Sequence, residues 1–183
     1  MKLQKTQIIA EAIALLNEEG LDNVSLRKLA QRLSVKAPSL TWHVNNKNNL
    51  LSLMSFSNFR TYTAKIPVCN NQEEWLFSFG TALWNMHKNV RDAARLTSVA
   101  AFSEALEAEF QVYISQVLAK VGLDTPEGYQ MQSSIQALAV GWAIFITSPC
   151  GSFIEKTISI EESYFNSLAA LIAGWGVTKN YIT

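Results

Sequence analysis

The chain has 183 residues, and its 15 Lys and Arg side chains balance 15 Asp and Glu side chains, so that the formal net charge is zero. This length suits one large domain or two small ones, and a hydrophobic content of 49% excludes an intrinsically disordered chain. Charged residues make up only 16%, against about 25% in a typical soluble domain, which indicates apolar surface hidden in an oligomer interface or a pocket.

Apolar residues recur at helical spacing from the start of the chain. Ile8, Ala12 and Leu16 share one face of a first helix, and Gly20 follows as its expected C-cap. Ser25 is the expected N-cap of a second helix. The pattern predicts two helices in the first 33 residues.

A short third helix is predicted to begin at Pro38, because a helix tolerates proline at its first position. Leu40 and Val44 provide its inner face at i and i+4, and Lys47 begins a longer fourth helix. Three helices of which the second and third are joined by a turn of three to four residues have helix-turn-helix geometry. We therefore predict a DNA-binding domain at residues 1–48 with a connecting helix at 47–65.

Residues 66–71 form the clearest break in the pattern and predict the boundary of a second domain at 66–183. Helices are expected there at about 72–89, 92–99, 102–121, 127–148 and 161–175. Pro126 is expected at the start of one of them, and residues 149–152 are expected to stop it. Because no strand alternation or repeat occurs, the predicted fold class is all-α.

The charge is divided unevenly along the chain. Seven basic and four acidic side chains give the first 48 residues a net charge of +3, so that the remainder carries −3. The basic side chains cluster on the second helix and around the third. A local basic face can contact phosphates even though the whole chain is neutral.

The third helix is predicted to be the reading helix. With Leu40 and Val44 turned inward, Ser39, Thr41, Trp42 and His43 face the major groove or its rim. Hydroxyl and imidazole groups bond base edges or phosphates, and apolar groups contact thymine methyls. For Trp42, a place in the protein core is an equally good interpretation.

The run Ser-Leu-Arg-Lys-Leu-Ala-Gln-Arg-Leu at 25–33, followed by Pro-Ser-Leu at 38–40 and Trp-His-Val at 42–44, resembles the DNA-binding domain of the TetR family of transcriptional repressors. The Trp-His-Val run is similar to the tetracycline-repressor branch, and the match is dense over roughly residues 5–55. A fainter local similarity lies at residues 91–96. The resemblance implies an all-helical homodimer with a helix-turn-helix head and a C-terminal part that binds a ligand and forms the dimer.

Carried over residue by residue, the resemblance implies DNA contacts by Arg27, Pro38, Ser39, Trp42, His43 and Lys47. The other predicted contacts in the same segment are Ser25, Lys28, Lys36 and Thr41. This sequence departs from the family pattern at four positions. Thr41 stands where the family usually has Tyr, Leu26 and Ala37 replace polar contacts, and Ser34 replaces the turn glycine, which strains the turn if its φ is positive. We therefore expect a different operator and a lower affinity per head.

The predicted helix at 127–148 is apolar on nearly every side over residues 135–146, so that it must be buried all round. A monomeric core is one explanation, but two such helices exceed what a small core covers, which favours a homodimer. The resemblance adds that the last two long helices usually form a four-helix bundle between subunits. The predicted dimer residues are Ala137, Val140, Gly141, Ile144, Phe165, Leu168 and Ile172.

Aromatic residues recur through the C-terminal part, where either core packing or a ligand pocket with a few polar groups explains them. The predicted pocket residues are Phe59, Trp84, His87, Thr97, Phe102, Tyr113, Gln136, Trp142 and Phe145. His87 is also compatible with a surface histidine or a hydrogen-bonded core histidine. Arg60, Thr61 and Thr97 lie near the positions where the tetracycline repressor has ligand-binding histidines, so that we expect a metal-free, apolar or amphipathic effector.

The predicted function is a ligand-responsive repressor that binds a near-palindromic double-stranded DNA operator as a homodimer and is released by its effector. A helical adaptor that has lost DNA binding is the alternative. A small helical enzyme is disfavoured, because the chain has no glycine-rich phosphate loop, His-Glu-x-x-His or Gly-x-Ser-x-Gly motif. We expect no metal or other cofactor. Cys69 and Cys150 are best explained as two reduced thiols, which predicts a cytoplasmic location, although a disulfide bridge between them is the alternative. No membrane partner is expected, since the longest apolar stretch, 137–147, is too short to cross a bilayer.

Overall fold

The computed structural model describes residues 3–175, and this part of the chain is helical without strands. The helices are α1 (Lys5–Glu19), α2 (Leu26–Arg32), α3 (Ala37–Val44), α4 (Lys47–Thr63), α5 (Gln72–Asn89), α6 (Ala93–Val99), α7 (Glu104–Ala119), α8 (Pro126–Ile146), α9 (Pro149–Ile154) and α10 (Ile160–Gly174), with a 3-10 turn at Leu21–Asn23 between α1 and α2. The all-α prediction is confirmed. None of the helices in 3–175 is long and apolar enough to span a membrane.

The chain divides into two compact units. Unit 1 contains residues 1–61 and 86–110, and unit 2 contains residues 62–85 and 111–183. Compactness therefore groups α6 and its neighbours with the N-terminal segment, whereas the sequence suggested a boundary at residue 66. That boundary remains a prediction.

In unit 1, α1 packs against α2 and α3. Ile8, Ala12, Leu15 and Leu16 form the buried face of α1. Leu40 and Val44 of α3 have no exposed surface, as their i, i+4 spacing predicts. Burying such side chains stabilises the fold by about 1.5–3 kcal/mol each for the larger aliphatic residues, which holds the three helices of the head together.

Local signals in the sequence explain where these helices begin and end. Ser25 is the N-cap of α2, and its side chain accepts a hydrogen bond from the backbone N–H of Lys28 at 3.3 Å. Gly20 ends α1 with φ +85°. Asn45, which follows α3, has φ +60°, and its backbone N–H donates to the Thr41 oxygen at 2.8 Å.

In unit 2, α10 packs against α8, and α8 packs against α9. The Tyr164 side chain is fully buried and donates a hydrogen bond from its hydroxyl to the backbone oxygen of Gly80 at 2.8 Å. The Trp84 ring stacks on Tyr164 with 4.5 Å between ring centroids. Burial raises the pKa of the Tyr164 phenol well above its usual value.

Residues 149–152 follow the end of α8, as the sequence predicted, and they also belong to a short helix of their own. Ser148 accepts a hydrogen bond from the backbone N–H of Gly151 at 3.1 Å and begins the six-residue helix α9 with Pro149 in its first turn. Proline at a first turn is compatible with helix because the N–H it lacks has no partner within the helix. The Pro-Cys-Gly-Ser run thus ends one helix and begins another.

Candidate nucleic-acid interface

The helix α3 has one face in the core and another in solvent. Leu40 and Val44 are fully buried, whereas Trp42 is 79% exposed and packs its ring edge-on against His43, with 4.9 Å between centroids. The exposed side chains of the helix also include Pro38, Ser39 and Thr41. The core interpretation of Trp42 is wrong, because a core tryptophan would be buried. An exposed Trp on a short, well-anchored helix is suited to contact a partner.

The hydroxyl groups at this surface already have partners within the chain. Thr41 donates to the backbone oxygen of Ala37 at 3.3 Å, and the Ser25 oxygen caps α2. Each hydroxyl oxygen can still accept a further hydrogen bond. Ser39, two residues before Thr41 and next to Pro38, is also exposed.

Five basic side chains of the head fall into two groups. Lys28 binds Glu19 at 2.6 Å and Asn23 at 3.0 Å, and Arg32 binds Glu11 and Glu18. These ion pairs join α2 to α1. The Arg32 guanidinium also holds the pKa of the Glu18 carboxyl below its usual value.

The second group is the set of exposed bases Arg27, Lys36 and Lys47, which form no ion pair with other residues in the described part of the chain. Lys36 precedes α3, Arg27 lies in the first turn of α2, and Lys47 begins α4. Cations in this arrangement around an exposed helix are suited to phosphate contacts. Of the predicted basic contacts, Lys28 is the one whose charge is paired within the head.

Comparison with known proteins matches this head to one family. The sequence profile described as "Bacterial regulatory proteins, tetR family" matches residues 8–54. The tetracycline repressor protein class G of Vibrio anguillarum is 40% identical over 103 residues, 52% of this chain and 46% of the relative. The class E repressor of Escherichia coli is 38% identical over 101 residues, with the same shares of the two chains. The chain thus aligns with less than half of each relative's length.

Solved structures extend the similarity to nearly the whole chain. A TetR variant from Acinetobacter baumannii, in complex with minocycline, superposes with a TM-score of 0.75 at 26% identity and covers 97% of this chain and 99% of the other. The chain therefore has the fold of this TetR protein, and its residues 8–54 match the TetR family profile. The family protein ActR of Streptomyces coelicolor, in complex with (S)-DNPA, has a TM-score of 0.66 at 22% identity over 97% of this chain and 98% of the other, which shows the same fold. TetR family regulators are DNA-binding transcription factors and not enzymes.

The residues predicted to form the effector pocket lie in both units. In unit 1, Phe59 and Phe102 join an aromatic cluster with Phe56 and Phe110, in which ring centroids are 5.3 to 6.3 Å apart. Thr97 donates its hydroxyl to the backbone oxygen of Ala93. The clustering suits either a core or the wall of an apolar site.

His87, also in unit 1, is largely buried, and neither ring nitrogen has a hydrogen-bond partner among the described residues. Burial lowers the pKa of His87 to about 4, so that the ring is neutral near pH 7. The expectation of a hydrogen-bonded core histidine is therefore wrong. The buried Asn58 amide nitrogen of the same unit also lacks a partner in this part of the chain.

In unit 2, the predicted pocket residues are mostly engaged with neighbours. Tyr113 shares a hydrogen bond of 2.7 Å with Thr63, Gln136 accepts one from Gln132, and Trp142 packs edge-on against Phe145. Two cavities of about 420 Å³ lie along the C-terminal part of α10, one against α5 and the other reaching the start of α8. None of the nine predicted pocket residues lines either of these two cavities.

The predicted dimer face of α8 is largely open in the single chain. Ala137, Gly141 and Ile144 are exposed, and Val140 is half-buried. On α10, Phe165 and Ile172 are half-buried. Leu168 differs, because it is fully buried and sits against Gly80, where an added Cβ would lie only 2.5 Å from Leu168 Cδ2. Its assignment to the dimer face is corrected to the core of unit 2.

Proposed function

We propose that this chain is a ligand-responsive TetR family repressor that binds a near-palindromic operator as a homodimer in the cytoplasm. The observation that carries the proposal is the exposed face of α3, with Trp42 79% exposed above a fully buried inner face. Two such heads would reach successive major-groove turns, about 34–36 Å apart.

The test is a selection from a random pool of duplex DNA at low salt, followed by titration of the selected duplex at several salt concentrations. Arg27→Ala and Lys47→Ala are each expected to weaken binding and to reduce the magnitude of the salt slope by about one. Lys120→Ala, at an exposed position after α7, is the control and should leave the slope unchanged.

Lys28→Ala is a second control on the same helix as Arg27. Because Glu19 and Asn23 hold the Lys28 ammonium, we expect a smaller change in slope than for Arg27→Ala. If the wild-type chain selects no duplex, the repressor proposal fails and the alternative of a helical adaptor without DNA binding gains support.

The proposed effector is a small apolar or amphipathic molecule that binds without a metal ion. The aromatic cluster of unit 1 and its neutral, buried His87 support an uncharged ligand, since a buried charge would need a partner. Arg60, Thr61 and Thr97 near the matching positions of the tetracycline repressor argue against a drug bound through a metal. Minocycline with Mg²⁺ is therefore expected neither to raise the melting temperature nor to release the selected duplex; release at micromolar drug would contradict this part of the proposal.

A further inference from the structure

Two cavities of unit 2 lie along α10, and neither is lined by a residue predicted to bind the effector. Each has a volume of about 420 Å³, which is typical of small-molecule sites. Glu73 and Ile172 line both of them, and every lining residue belongs to unit 2. We call the one that reaches the start of α8, with Glu127 and Trp175 in its lining, the α8 cavity.

The lining of the α8 cavity is held in place by contacts of its own. Gln72 donates from its side-chain amide to the backbone oxygens of Val121 at 3.2 Å and Gly122 at 3.1 Å, which joins the start of α5 to the loop after α7. At the other end of this loop, Gly128 packs so close to the backbone of Leu123 that no Cβ would fit between them. The cavity is therefore formed without a ligand, which lowers the cost of binding one.

Much of the lining of the α8 cavity is apolar. Leu76 and Met131 are buried there, and Ile172 and Trp175 are half-buried at the end of α10. Such side chains favour an apolar group over water. The face of an indole ring also attracts a cation, so that Trp175 is compatible with a positively charged ligand as well as an apolar one.

The lining also carries two carboxylates that no cation of the described chain balances. Glu73 and Glu127 lie in the first turns of α5 and α8, a position that helix dipoles favour for acids. Neither forms an ion pair within residues 3–175, and no Lys, Arg or His of this range lines either cavity. Lys120, after α7, is exposed and outside the lining. The negative charge at the cavity is thus left for a ligand to balance.

We propose that the α8 cavity binds an amphipathic organic cation, an aromatic or alkyl group that carries an amine protonated near neutral pH. The apolar part would lie against Ile172 and Trp175, and the ammonium would lie beside the carboxylates. A bare metal ion is a poorer match, because apolar groups cannot ligate it and no group of three or more His, Cys, Asp or Glu within residues 3–175 is placed to hold one. This site goes beyond the proposed function, since its binding requires neither DNA nor the aromatic cluster of unit 1.

The test is isothermal titration calorimetry of the full chain at low salt and without DNA. Three compounds share a naphthalene ring and differ in charge: 2-(1-naphthyl)ethylamine, 2-(1-naphthyl)ethanol and 1-naphthylacetate. We expect the amine to bind about tenfold more tightly than the alcohol, and the acetate to bind most weakly, because the carboxylates attract the first and repel the last. Added salt should reduce the advantage of the amine.

The double variant Glu73→Gln/Glu127→Gln removes both charges and keeps the shape of the side chains. Its affinity for the amine is expected to fall by about tenfold, the combined effect of two partly exposed ion pairs, whereas its affinity for the alcohol should stay within about twofold of the wild type. The matched control is Glu155→Gln/Glu162→Gln, which removes two charges from exposed positions of unit 2 outside both cavities. This control should bind the amine like the wild type.

Three outcomes would overturn the proposal. An equal loss of amine affinity in both double variants would mean attraction by the overall charge of the chain, and equal affinities of the wild type for amine and alcohol would mean that the carboxylates select nothing. Failure of all three compounds to bind would mean that a second copy or another segment of the chain fills the cavity. A failed selection of DNA would leave these titrations unchanged, so that the proposed function and this site fail separately.

Discussion

Two residues of unit 1 are held in unfavourable states. One has a strained backbone conformation, and the other is a buried polar ring without a hydrogen-bond partner. Ser34, in the turn between α2 and α3, has φ +54°, where the related sequences have glycine according to the family resemblance. The turn is closed by hydrogen bonds from Ser34 to Gln31 and from Val35 to Ala30. The sequence posed two options for this turn, a negative φ or slight strain, and the structure shows the strained one.

Ser34→Gly is expected to stabilise the chain by up to about 1 kcal/mol, because relief of the left-handed penalty outweighs the added entropy of glycine in the unfolded chain. Urea denaturation measures the change. Ser39→Gly, at an exposed position inside α3, should have the opposite sign and cost about 1 kcal/mol. A loss of stability in Ser34→Gly would show that the turn is not strained.

His87 is the second such residue. Burial lowers its pKa from 6.5 to about 4, so that the unfolded chain takes up the proton first as the pH falls. The contribution of neutral His87 to stability is therefore complete above about pH 6.5 and is lost as the pH falls from there to about 4, with a total of about 3 kcal/mol.

His87→Leu is expected to flatten the dependence of unfolding free energy on pH between about 6.5 and 4, since the apolar side chain has no proton to gain. The measurement is a set of urea titrations across that range for the variant and the wild type. The urea m-value serves as the control, because an unchanged value shows that both chains unfold the same surface. Parallel pH profiles for the two chains would contradict a depressed pKa at His87.

At the scale of single elements, the start of α8 shows how much local chemistry determines a helix boundary. Thr125 is the N-cap and accepts a hydrogen bond from the backbone N–H of Gly128 at 3.1 Å, with Pro126 in the first turn. The backbone of Leu123 approaches so closely that a Cβ on Gly128 would lie 2.0 Å from its oxygen. The sequence predicted Pro126 at the start of this helix but could not reveal the close approach.

Thr125→Ala is expected to lower the free energy of unfolding by about 1 kcal/mol, the usual effect of losing an N-cap. Thr125→Ser keeps the hydroxyl oxygen and should stay within a few tenths of a kcal/mol of the wild type. Thermal or urea denaturation of both variants provides the comparison. Equal stability of the two variants would mean that the cap does not hold α8.

At the scale of the whole molecule, the open question is what covers α8. Its Ala137, Gly141 and Ile144 are exposed in the single chain, and a Cβ at Gly141 would meet nothing within 4 Å. A large side chain at this position is therefore compatible with the fold of the single chain. It would clash only with a second subunit packed against α8. This makes Gly141 a sharp probe of the proposed dimer.

Gly141→Arg is expected to convert a dimer into a folded monomer, because the small residue is what allows a second helix to approach. Analytical ultracentrifugation gives the mass, and circular dichroism tests whether helix content is retained. Gln116→Arg, at an exposed position on α7, is the control and should remain dimeric. A dimer that persists in Gly141→Arg would place the interface elsewhere.

The helices of this protein could largely be predicted from the sequence alone, because the signals that begin, end and orient a helix lie within a few residues of it. The predicted bounds of α5, 72–89, agree with the structure, and the i, i+4 spacing of Leu40 and Val44 identified the buried face of α3. Capping signals at Ser25 and Pro126 lie within one turn of the helices they begin. The fold class and the helix-turn-helix head follow from such short-range patterns.

Only the tertiary structure decided which of these side chains are free and which are held. Lys28 is bound by Glu19, Leu168 lies against Gly80, and Asp92 accepts from Leu21 across 71 residues of chain. Periodicity cannot predict such pairs, because a hydrophobic or charged residue has the same local pattern whether its partner is solvent, its own core or a second subunit. The division of the chain into two units, with residues 86–110 beside the head, likewise depends on contacts distant in sequence.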